Sequence, residues 1–128
     1  MEIRILNSND VRKALPMKEA ICGMKRAFSR LSSGKAEMPL RSRVPVINQD
    51  GVLLTMPAAI PKDGELAVKL VTVFGKNPGR NLPLIHAALI AFDINSGQIK
   101  SLMDGEVLTT VRTGAAVGAA SDILARDD

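Results

Sequence analysis

Tryptophan and tyrosine are absent from the 128 residues, and phenylalanine occurs only three times. The aromatic platforms on which a single-strand nucleic-acid groove stacks bases are therefore missing. Cysteine and histidine are each represented once, by Cys22 and His86. This excludes an internal disulfide and a Cys/His metal set, so no metal site is expected, and a reducing cytoplasm is the expected location. No stretch is long and charge-free enough to span a bilayer, and the opening MEIRILNSND lacks a basic segment followed by an apolar run, so neither a membrane partner nor export is expected. No G-x-G-x-x-G turn, P-loop, repeat or low-complexity linker is found.

What remains is an ordinary globular composition, 46% hydrophobic and 23% charged, in a chain long enough to bury one core. The formal net charge is +4, with a sequence pI near 9.6, and the excess is uneven. Residues 1–64 hold 11 Lys and Arg against 6 Asp and Glu, whereas residues 65–128 hold 6 against 7. The basic residues are scattered rather than striped, so no nucleic-acid partner is expected.

Residues 2–6 alternate polar and apolar and read as a short strand, and 7–10 are helix-capping types from which a short helix starts. Met17, Ala20, Ile21, Met24, Phe28 and Leu31 recur at helical spacing. They predict an amphipathic helix entered at Pro16 and capped at Gly34. Residues 44–47 and 52–55 predict a hairpin around residues 48–51, where the Asp50-Gly51 pair can supply positive φ. Residues 66–74 and 84–94 are apolar at nearly every position and predict strands needing cover on both faces. One face can take the helices; the other calls for more polypeptide or a partner subunit. The turn at 95–98 leads into a strand at 99–103, and a helix follows over 104–125, with Asp104 as N-cap. The fold class is α+β, helices packed on a mixed, mostly antiparallel sheet whose open face pairs with a second subunit.

Three cations stand where a purely structural role is least comfortable. Lys69 lies mid-strand in LAVKLVTVF, where an unpaired ammonium is costly to bury. The alternative is an edge-strand lysine reaching out to water. Arg112 lies in LTTVRTGAAVG, among small, apolar and hydroxylic residues. The Gly114, Ala115, Gly118 and Ala119 stripe beside it allows close approach of a sheet or flat ligand, or simply tight helix packing. Arg41 sits in MPLRSRVP, held extended by its prolines. A surface arginine is the default there, yet two guanidiniums and an ammonium together would make a good carboxylate receptor. His86, on an apolar strand, reads as a core residue. The basic loop 75–83, GKNPGRNLP, could attract phosphate.

In this order, MPLR at 38–41, MPA at 56–58, the Lys69 strand, Lys76-Asn77 before Leu82-Pro83, residues 93–97, MDG at 103–105 and LTTVRTGAA at 108–116 resemble the ornithine cyclodeaminase and mu-crystallin family. The resemblance covers nearly the whole chain. It implies an NAD(P)-dependent enzyme of amino-acid metabolism, acting as a homodimer on an α-amino or α-imino acid by cyclodeaminase, alanine dehydrogenase or ketimine or pyrroline-carboxylate reductase chemistry. Arg41 and Arg112 would grip the substrate carboxylate, and Lys69 would contact that carboxylate or the reacting nitrogen or carbonyl as the catalytic residue. Thr113 would lie beside the nicotinamide, with Arg112 and Asn77 also assigned to the cofactor. Family members are longer, so residues 1–128 are expected to be the substrate-binding and dimer-forming part, inactive without the nucleotide domain towards which the 104–125 helix leads. Cyclodeaminases carry a glutamate two positions before the Met-Pro pair, where this chain has Leu54. That departure weakens ornithine as substrate and favours dehydrogenase or ketimine-reductase chemistry. The alternative function is a non-catalytic small-molecule or protein binding module of the mu-crystallin type.

Overall fold

The computed structural model describes residues 1–127. Chain order is β1 (Arg4–Leu6), α1 (Ser8–Ala14), α2 (Met17–Ser32), β2 (Ser42–Val46), β3 (Gly51–Ile60), β4 (Glu65–Phe74), β5 (Ile85–Phe92), β6 (Ile99–Asp104) and α3 (Gly105–Leu124). One six-stranded sheet runs β1-β6-β5-β4-β3-β2. Only β1 with β6 is parallel; the other four pairings are antiparallel. The expected three helices on a mixed, mostly antiparallel sheet are thus observed.

The local signals that start and stop these elements act as the residue types dictate. Asn7 accepts from the Asn9 and Asp10 amides at 2.9 and 3.1 Å while Asp10 accepts from the Asn7 amide at 3.0 Å, a reciprocal capping box. At the end of α2, Gly34 turns left-handed at φ +69°. Its amide then reaches the Leu31 carbonyl and that of Lys35 the Arg30 carbonyl, closing the helix as a Schellman motif. Asp104 caps α3 by accepting from the Val107 amide at 2.8 Å.

One expectation is met with a detail added and one is corrected. In the β2–β3 hairpin a single 3-10 turn spans Ile47–Gln49, and of the Asp50-Gly51 pair it is Asp50 that takes the positive φ (50°). Gly51 is needed for space, since a Cβ there would meet the Phe74 ring at 2.9 Å. The strand that follows also continues past Thr55, through Pro57, to Ile60. Ala59 exchanges backbone bonds with Glu37, so the nitrogen of Pro57, two residues earlier, faces that same side, beyond the end of β2. No ladder bond is lost there, which is why a proline survives between two strands.

The helices gather on one side. Gly105 abuts the backbone of Ala87 and Ala88 on β5, while Gly114 and Gly118 face Met17 and Ile21 of α2. The small-residue stripe is therefore helix-packing surface. Among the described residues the buried apolar ones are Val11, Ala20, Val107, Ala115 and Ala119, a core of small side chains between the helices and β5–β6. Arg30 clamps the α2 end to the turn after β3 by donating twice to Asp63 at 2.8 and 2.9 Å. Among the described residues no helix is long and apolar enough to cross a membrane.

Register assigns the two sheet faces. Met56, Lys69, Leu89 and Met103 form one row across β3, β4, β5 and β6, and α3 lies over it, because Lys69 reaches Thr109. The neighbouring row, Pro57, Val68, Ile90 and Leu102, points the other way, where no described helix packs. With Val44, Leu53 and Leu70 it makes a bare apolar face.

Candidate functional site

Lys69 sits at the centre of β4, between β3 and β5, so it is not an edge lysine with free access to water. Its ammonium finds one hydrogen-bond partner, Thr109 Oγ1 at 3.4 Å, a long and weak contact. Burial, then the nearby Arg112 and Arg41 charges, hold Lys69 below the usual lysine pKa. All three causes disfavour the charged form, as expected where cations gather with no anion among them.

Arg41 arrives on the extended segment before β2, and Arg112 on the first half of α3, one turn beyond Thr109. Together with Lys69 they line one cavity of about 460 Å³. Its remaining wall is Met38, Pro39, Leu40, Met56, Ala58, Leu89, Leu108 and Thr109. No acidic side chain is among them. Lys69 and both arginines form no ion pair among the described residues. A volume of this size suits a small organic acid, and two guanidiniums plus an ammonium supply planar and point-charge donors for its carboxylate. Two larger depressions gather no such set. At one, edged by β1 and the β5–β6 turn, Asp93 is already engaged with Asn95 and Ser96. The other, between α2 and α3, contains the Lys25–Asp122 pair.

The remaining sequence-predicted residues fall outside the cavity. Thr113 is exposed on α3 beside Arg112 and does not line it. Asn77 is buried at the far end of β4, where its amide donates to the Pro83 carbonyl at 2.8 Å and its backbone carbonyl accepts from Arg80 and Leu82. The basic loop is likewise engaged: Lys76 donates to the Asn48 carbonyl at 2.7 Å and Arg80 to Gln49 at 3.0 Å. His86 is corrected from a core residue to an exposed one, 3.5 Å from Glu106, because β6 ends before it and leaves its side chain open. Thr109 and the apolar wall were not singled out as site residues from sequence. Their spacing with Arg112 on one helix face was the available signal, but a leucine-threonine pair has no chemistry of its own to draw attention.

Fold and cavity together define an α+β domain with a cationic cavity whose remaining wall is largely apolar. The profile of the ornithine cyclodeaminase/mu-crystallin family matches residues 1–128, and the chain belongs to that family. It is similar to the Thermococcus litoralis Delta(1)-pyrroline-2-carboxylate reductase solved with NADH and L-proline, at 38% identity and TM-score 0.88, covering 98% of this chain and 39% of that one. An archaeal alanine dehydrogenase dimer with bound NAD matches at 34% identity and TM-score 0.87, over 98% of this chain and 38% of that one. Mouse ketimine reductase mu-crystallin is 34% identical over 97 residues, 76% of this chain and 31% of its own length. The chain spans about 38% of the length of the first curated relatives it matches.

Proposed function

We propose that this chain is the substrate-binding and dimer-forming part of an NAD(P)-dependent enzyme that interconverts an α-amino acid and its α-imino or ketimine form. The observation that carries this reading is the convergence of Arg41, Lys69 and Arg112 on one cavity with no acid in its lining. The nicotinamide supplies a carrier for the hydride that leaves or joins the substrate α-carbon. In oxidation the amino acid gives up that hydride and a nitrogen-bound proton, leaving the imine; reduction reverses both transfers.

Arg41 and Arg112 hold the carboxylate, which fixes the α-carbon relative to the wall. Lys69, below its usual pKa, is suited to contact the carboxylate and to hold or release a proton at Nζ next to the reacting nitrogen or carbonyl. The cofactor fits this chain at one margin only. Arg112 and Thr113 are exposed next to the cavity on α3, open to a flat ring, whereas the chain contains no glycine-rich dinucleotide turn. Most cofactor contacts would therefore come from another domain. Asn77, with its amide already committed to Pro83, would act on the cofactor only through the loop it holds. The bare sheet face would be covered by a second copy of the chain, and the dimer named for the archaeal relative supports that reading.

The test is NAD(P)-linked turnover of the full-length protein with L-proline, L-alanine and cyclic imino carboxylates. Turnover of at least one, lost in Arg112→Ala and Lys69→Met variants, is the expected result. Absence of both turnover and carboxylate binding would overturn the proposal.

A further inference from the structure

Leu40 is 97% exposed and Met38 60% exposed, and both border the cavity on either side of Pro39. They precede Arg41, so the segment that brings in a carboxylate-binding guanidinium also brings two apolar side chains to its mouth. Across the cavity, Met56, Leu89 and Leu108 complete an apolar wall. A leucine left almost wholly in water gains most from a ligand that covers it, since burying a methylene is worth about 0.8 kcal/mol, a factor of about four in affinity. An ammonium on the ligand tail would be a fourth cation beside Arg41, Lys69 and Arg112, with no carboxylate in the lining to meet it.

Resting on the proposed function, we infer that Met38 and Leu40 form an apolar clamp on the substrate tail, so that the site selects an α-amino or α-imino acid whose tail is uncharged and aliphatic and rejects one ending in an ammonium. The carboxylate end is read by the three cations and the tail by the apolar mouth. A second carboxylate is disfavoured too, because the α-carboxylate takes up the three cations and the tail carboxylate would have to leave water against the apolar mouth.

The experiment is calorimetric binding to the full-length protein with reduced nicotinamide cofactor present, so that no turnover occurs. The ligands are L-alanine, L-norvaline, L-ornithine and L-glutamate; the last three share one carbon-chain length and differ at its end. Norvaline is expected to bind about tenfold more tightly than alanine and at least about tenfold more tightly than ornithine or glutamate. Leu40→Glu, at a position exposed enough not to disturb folding, is expected to weaken norvaline severalfold and close the gap to ornithine. Ornithine equal to norvaline, glutamate tighter than norvaline, or a Leu40→Glu protein with unaltered preference would each overturn the clamp. Alanine separates the two failures. If it binds while the tails are not discriminated, only this inference falls; if none of the four binds, the carboxylate-receptor reading falls with it.

Discussion

The two halves of α3 are built from the same small and charged residue types and have opposite company. From its middle onward, Gly114, Gly118 and Asp122, spaced by four, each meet α2: Met17, Ile21 and the Lys25 ammonium in turn. In the first half, Gly105, Thr109 and Arg112 turn a different face towards the sheet. There Arg112 and the Lys69 it approaches have no anion among the described residues. One half is satisfied by the fold and the other carries cations that no described anion meets. Charge alone does not mark a site; charge whose partner the fold omits does.

Substitutions in the open half should fall on activity. In the full-length protein, Arg112→Ala removes the two-pronged carboxylate contact proposed for it and is expected to lower kcat/KM by about 10²–10³-fold, with thermal stability little changed because Arg112 is exposed. A large drop in melting temperature instead would make Arg112 a structural residue and erase the contrast. The next largest effect is on stability. A Cβ at Gly105 would lie 2.8 Å from the β5 backbone, which cannot yield locally, so Gly105→Ala is expected to cost about 1–3 kcal/mol in denaturant unfolding. At Gly118 the same addition meets the end of the Ile21 side chain, which can rotate away. Helix propensity returns about 1 kcal/mol there, so Gly118→Ala should be near neutral.

The pH response separates the halves further. Lys69 titrates lower in the folded chain than unfolded, so between those two values the unfolded chain holds the extra proton. Stability therefore rises as pH climbs through that window and lacks this contribution below it; Lys69→Met should flatten the rise, as unfolding curves at stepped pH would show. Carboxylate affinity should fall over the same window as Nζ loses its proton. Asp122, held below the usual carboxylate value by Lys25, follows the same sign but on the acid side: its contribution is present at neutral pH and lost as pH falls through its lowered value. Asp122→Asn should abolish that acid-side loss, with a small decrease in stability at neutral pH and no change in substrate affinity, the smallest effect of the series.

Elements were legible wherever a short-range signal sets them. The Asn7 cap, the helical spacing from Met17, Gly34 and Asp104 all act within one turn of the chain, and the structure follows them. The signal failed where a neighbour distant in sequence decides. Pro57 looks like the end of a strand until the end of β2 and the Glu37 bridge leave its nitrogen facing no ladder acceptor that needs a donor. His86 looks buried until β6 stops short of it.

Arg41, Lys69 and Arg112 could each be named from sequence because each is a cation in surroundings that give it no local partner. That much the sequence by itself determined, together with the family, since the ordered motifs are a property of the chain alone. Only the tertiary structure decided that the three cations share a cavity, that its wall is apolar, and that Lys69 is central rather than at an edge. The reason is physical: local propensity acts over a few residues, whereas this site is assembled from the pre-β2 segment, β3, β4, β5 and α3, brought together by strand register and by the close seating of α3 on β5 at Gly105.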